Sequence, residues 1–174
     1  MVIIAPWYNK VKMERKITFE NEKDLVYGFK CEGSYAPVYS YCKVYNDGTV
    51  KYGKGSFCGE REEKNGTMKI PEKSIEAIEK LINDNVEVFM FKDDDFVNRI
   101  VPTDDATDTY YFVSEKRRNE IAIYASPYTD DEDEYEYDDD CFMMPDPHKD
   151  AIMKRLIRGI HGILRKCGID REYC

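Results

Sequence analysis

The chain has 174 residues, 42% hydrophobic and 35% charged, and a formal net charge of −9. That is enough apolar material for one domain with its own core, and too much for global disorder. A mean hydropathy of −0.66 and the lack of any apolar run near the roughly 20 residues of a bilayer-spanning helix argue against a helical membrane protein.

In chain order, residues 1–13 read as a lead. The apolar stretch from Val2 has no basic region before it and stops at Pro6, which is not the build of a secretory signal. The expectation is a cytoplasmic protein with one domain over residues 14–168 and a tail at 169–174. Trp7 and Tyr8 in the lead join the fold only if they find a groove. Residues 16–20 alternate as a strand does, and residues 25–29 read as a second strand, or as its continuation after a turn at 21–24. The strongest strand pattern covers residues 38–45, with Val38, Tyr39, Tyr41, Val44 and Tyr45. Asn46-Asp47-Gly48 supplies a tight turn, and residues 49–52 return as the partner strand. Residues 60–65 read as a charged hairpin tip and 67–70 as a short strand. Pro71 opens a helix with an apolar face of Ile75, Ile78, Leu81 and Ile82, stopping near residues 83–85.

Residues 86–91 alternate weakly, 92–95 form a solvated turn, and 96–101 read as a strand ended by Pro102. Residues 109–113 and 120–124 look like antiparallel strands around a charged loop at 115–119. Asp146 is the expected N-cap of a last helix, with Pro147 at its first position. Ile152, Leu156, Ile160, Ile163, Leu164 and Cys167 mark its apolar face, and Gly168 stops it. Hairpins outnumber β-α-β units. The predicted class is therefore α+β: a mostly antiparallel sheet built from hairpins, with one middle helix and one long C-terminal helix packed on one face.

The sharpest functional feature is an acidic loop made of Asp130, Asp131, Glu132, Asp133, Glu134, Tyr135, Glu136, Tyr137, Asp138, Asp139 and Asp140. Its nine carboxylates equal the net charge of the whole chain, so the rest is balanced. Such a block serves as a solvated spacer. It is also suited to a protein partner with a basic surface, including a nucleic-acid-binding protein whose phosphates it imitates; Tyr135 and Tyr137 then add rigid contact area. A specific calcium site lacks the glycine and spaced ligands of an EF-hand loop. Residues 149–174 hold seven basic and three acidic side chains, so loop and helix can also neutralise each other. We carry forward a non-catalytic domain that binds a macromolecule through this loop. The alternatives are an acidic inhibitor, of the toxin-immunity or phage anti-defence type, and an enzyme built on unrecognised carboxylates. No cofactor, metal, membrane or direct nucleic-acid partner is expected.

Other constellations point to ordinary structure. None of the six cysteines is spaced Cys-x-x-Cys, so reduced, packed thiols are expected, with Cys174 exposed. Asp93, Asp94 and Asp95, and Asp104, Asp105 and Asp108, read as solvated turns rather than paired catalytic carboxylates. His148 and His161 have no partner at useful spacing. Tyr35, Tyr39, Tyr41, Tyr45 and Tyr52 are core if their face is buried, and a platform for a peptide, sugar or base if it is open.

Cys31-Glu-Gly33, Pro37-Val-Tyr39 and the run from Val44 to Tyr52 resemble a bacterial family of uncharacterised α+β domains. Its members run Cys-x-Gly-x-Cys-Pro-x-Tyr into a strand and an Asp-Gly hairpin. Here Ala36 stands at the second cysteine, with one extra residue before Pro37. The acidic loop looks like an insertion before the last helix. The resemblance implies the fold and no particular activity.

Overall fold

The computed structural model describes residues 17–33, 38–56, 63–96, 106–124, 126, 128 and 146–174. Six strands form among them: β1 (Leu25–Glu32), β2 (Val38–Tyr45), β3 (Thr49–Ser56), β4 (Lys64–Lys69), β5 (Thr107–Ser114) and β6 (Arg117–Tyr124). The sheet order is β4-β3-β2-β1-β5-β6, and every neighbouring pair is antiparallel. The helices are α1 (Glu72–Asp84) and α2 (Pro147–Lys166). The expected α+β class is therefore the observed one.

Local chemistry builds the first half. At the β2–β3 turn, Gly48 takes a φ of 81°, which its missing Cβ permits. The Asp47 carboxylate accepts from the Thr49 amide at 2.8 Å and from Lys69 Nζ at 2.7 Å, so it ties the turn to β4. After β4 the chain passes through α1, and β5 then pairs with the far side of β1. This places β1 in the middle of the sheet.

Alternation sends two kinds of side chain to the two faces. Val50, Val44, Tyr27 and Phe112 form one cross-strand row on the helix side, and Tyr52, Cys42, Phe29, Tyr110 and Ile121 form the next. Against these rows pack Ile75, Ile78 and Ile82 of α1 and Ile152, Leu156, Ile160 and Leu164 of α2, all buried in one core. Burying each such side chain contributes about 1.5–3 kcal/mol. Asp146 caps α2 as expected, accepting from the His148 amide at 2.9 Å. His161 is buried in the same core and hydrogen-bonds the Tyr27 hydroxyl through Nε2 at 2.7 Å.

The structure departs from the sequence reading in four places. Residues 17–20 are not a strand. They form a strap over the sheet face away from the helices, where Phe19 stacks on Tyr111 at 5.5 Å. Phe19 also presses on Gly28: a Cβ there would fall 2.7 Å from its ring, so only glycine admits it. Val86–Met90 is a short 3-10 turn, and the expected turn at 92–95 is a second one at Asp93–Phe96. The charged loop after β5 shrinks, since Arg117, Arg118 and Asn119 pair with β5. Residues 169–174, expected as a tail, fold back. Gly168 reverses the chain with a φ of 98°, and Ile169, Tyr173 and Cys174 are buried. The lead at 1–13 and the expected strand from 97 onward lie outside the described residues.

Replacing Leu156 with Ala leaves a cavity between α2 and the sheet. Urea titration is expected to show a loss of about 2–5 kcal/mol with the m-value unchanged. His161 supplies a pH signature. Burial, aided by Arg165, lowers its pKa to about 3, whereas an unfolded histidine titrates near 6.5. Between those values the unfolded chain binds a proton that the folded chain refuses. Stability should therefore fall as pH drops from about 6.5 towards 3, by up to about 1.4 kcal/mol per pH unit. Chemical denaturation across this window should show a shallower slope in His161→Gln than in wild type; identical slopes would rule the histidine out as the source.

Candidate functional site

The acidic loop lies outside the described residues, as do 129 and 141–145; the nearest described residues are Tyr128 before it and Asp146 after it. On one side, Tyr128 is buried: its ring meets Phe96 edge-on at 6.4 Å, and its hydroxyl donates to Asp150 Oδ1 at 2.6 Å. On the other side stands Asp146, the cap of α2. Asp150 is in the first turn of the same helix, so the two flanks meet at one end of α2.

Further carboxylates gather there. Glu87 Oε2 accepts from His148 Nε2 at 2.7 Å. Asp95 Oδ1 accepts from Lys149 Nζ at 2.6 Å, and its Oδ2 from the Lys92 amide at 2.9 Å. The hydrogen bond from Lys149 holds the Asp95 carboxyl below its usual range. Asp93 Oδ1 accepts from the Ala122 amide at 2.9 Å. Asp93 and Asp95 thus hold the 3-10 turn against β6 and α2. They are not a free carboxylate pair poised for acid–base chemistry. Asp108 lies apart on β5, buried, and accepts from the Tyr110 hydroxyl at 3.0 Å. Asp104 and Asp105 lie outside the described residues. Among the described residues no group of three His, Cys, Asp or Glu side chains is arranged to hold a metal ion.

The tyrosine set divides. Tyr35 lies outside the described residues, and Tyr52 faces the helix side, packed on Tyr173 at 4.8 Å. Tyr39, Tyr41 and Tyr45 share the opposite face, with Tyr39 and Tyr41 stacked at 6.5 Å and 25°. Tyr39 and Tyr45 are only 7% and 8% exposed, so these two behave as core. Beside them runs a groove of about 270 Å³, lined by Ile17, Glu22, Tyr41, Lys43, Lys51 and Asn65 among others. Its charges are already used. Glu22 accepts from Lys43 Nζ at 2.6 Å and from the Tyr45 hydroxyl at 2.8 Å. Burial pushes the Glu22 pKa up, but these two hydrogen bonds outweigh it and the net shift is downward. Lys51 sits 5.0 Å from the centre of the Tyr45 ring.

Sequence reasoning missed the strap, and Glu22 just after it, because no periodicity announces a segment lying across a sheet. It also missed the His161–Tyr27 pair. The one available signal was a histidine on the apolar face of α2.

The chain matches no protein-family model and no curated protein. The hairpin's likeness to the uncharacterised bacterial family therefore stays a resemblance. No helix among the described residues is long and apolar enough to cross a membrane.

Tyr128→Phe removes the hydroxyl that fixes one flank of the acidic loop and leaves the ring in place. A stability loss of about 0.5–1.5 kcal/mol is expected in urea. An unchanged midpoint would mean that the flank is held by ring packing alone.

Proposed function

We propose that this chain is a non-catalytic, cytoplasmic binding domain that meets a protein partner through the acidic loop at residues 130–140. The partner would carry a basic surface, such as that of a nucleic-acid-binding protein. The observation that carries this reading is that the nearest described residues on either side of the loop meet at one end of α2. Both flanks are tied to the first turn of α2, through Tyr128–Asp150 and the Asp146 cap. A spacer joining β6 to α2 needs no such closure, whereas a loop that presents nine carboxylates from one point gains from it. Glu87 and Asp95 lie there too, in contact with His148 and Lys149 of the same turn. A concentrated field of one sign steers an oppositely charged partner and makes its capture sensitive to salt. The tyrosine groove supports the reading less, since its charges are paired internally.

The test is capture from the source organism's lysate with wild type and with a variant in which residues 130–140 become a neutral Gly/Ser linker. The expected result is a partner held by wild type, released steeply as ionic strength rises, and absent from the linker variant. A partner retained by the linker variant would return the loop to the role of spacer.

A further inference from the structure

Cys42 and Cys174 are far apart in the sequence, yet both are buried in the helix-side core. Cys42 is in the middle of β2 on the helix side, with no exposed surface. Cys174 arrives there through the turn at Arg171–Tyr173. That turn is held by Tyr173, which packs on Tyr52, and by the ion pair of Glu172 with Lys54. Tyr52 is the cross-strand neighbour of Cys42, so seating Tyr173 on it brings the next residue over Cys42. Both cysteines are buried in the one helix-side core, and each is the neighbour that most perturbs the other's thiol. Cys174 Sγ also lies 4.0 Å from the Asp170 carbonyl oxygen, which keeps it on the Cys42 side of the turn. The remaining described cysteines are engaged elsewhere: Cys167 Sγ is 3.4 Å from Ser74 Oγ, and Cys31 is beside Asp108.

We propose that Cys42 and Cys174 form a redox couple, closed to a disulfide by a peroxide-class oxidant and reopened by a thiol reductant. Cys174 is the attacking sulfur. The neighbouring Cys42 lowers its pKa, burial opposes this, and the Arg165 cation adds to the lowering. The neighbouring Cys174 and burial both push the Cys42 thiol well up, which suits the resolving role.

In the first step the Cys174 thiolate attacks a peroxide oxygen. An S–O bond forms, the O–O bond breaks, and the departing hydroxide takes the proton that Cys174 released. In the second step the Cys42 sulfur, giving up its proton, attacks the sulfenic sulfur. The S–S bond forms, the S–O bond breaks, and the hydroxide leaves as water with the Cys42 proton. Two thiols and one peroxide give one disulfide and two waters. Oxidant reaches Cys174 by local opening of the single turn at 169–174, without disturbing the sheet. Once formed, the bond fastens that turn and the end of α2 to β2, and closes a chain loop that spans most of the fold.

The experiment treats the folded, reduced protein with hydrogen peroxide, then alkylates it in denaturant and maps it by mass spectrometry. The expected result is a Cys42–Cys174 linked peptide, two fewer alkylations, and a higher thermal midpoint that dithiothreitol reverses. Cys174→Ser and Cys42→Ser should lose both the link and the midpoint shift. Should Cys42→Ser fail to fold, Cys174→Ser on the other side of the contact supplies the control. The proposal is overturned if both cysteines stay fully alkylatable, if Cys174 runs on to a sulfinic acid while Cys42 stays free, or if the link joins other cysteines.

Discussion

Strand β1 serves two cores at once, and the rest of the structure is arranged around that demand. Tyr27 and Phe29 face the helices, while Gly28 and Lys30 face the strap. A bulge between Leu25 and Tyr27 adds one residue to β1 relative to β2. It lets Leu25 join the small core under Phe19 while Val26 joins the large one. Because β1 pairs on both edges, its two faces set the register for β2 and β5 together. A slip of one residue would exchange Tyr27 and Phe29 with Gly28 and Lys30, so both cores would fail in the same event.

The helix-side core couples the ends of the chain. His161 on α2 reaches Tyr27 on β1, and Cys174 reaches Cys42 on β2. A neutral, hydrogen-bonded histidine and two protonatable sulfurs make this interior sensitive to conditions that leave an aliphatic core untouched. Polar groups of this kind are tolerated only because each one meets a partner.

Legibility in the sequence followed range. The β2–β3 hairpin, α1 and α2 were readable because their signals are local: an Asn-Asp-Gly turn, a helix cap, and apolar residues at helical spacing. The acidic loop was readable as composition, and the structure adds the meeting of its flanks. The solvated turn at Asp93–Asp95 was readable, but not the Ala122 amide and Lys149 that Asp93 and Asp95 accept from, because adjacent aspartates look alike in sequence whether or not a donor is waiting for them. Residues 16–20 alternate like a strand, yet the alternation serves to place Ile17 and Phe19 on a sheet face rather than to pair a backbone.

By itself the sequence determined the fold class, the helix faces, the tight turn and the local concentration of charge, since each depends on residues within a few positions of one another. Only the tertiary structure decided that β1 lies between β2 and β5, that Tyr39 and Tyr45 are buried, and that Cys174 returns to Cys42. These depend on which distant surfaces exclude water together. That choice is made by packing across the whole chain, and it leaves no periodic trace along it.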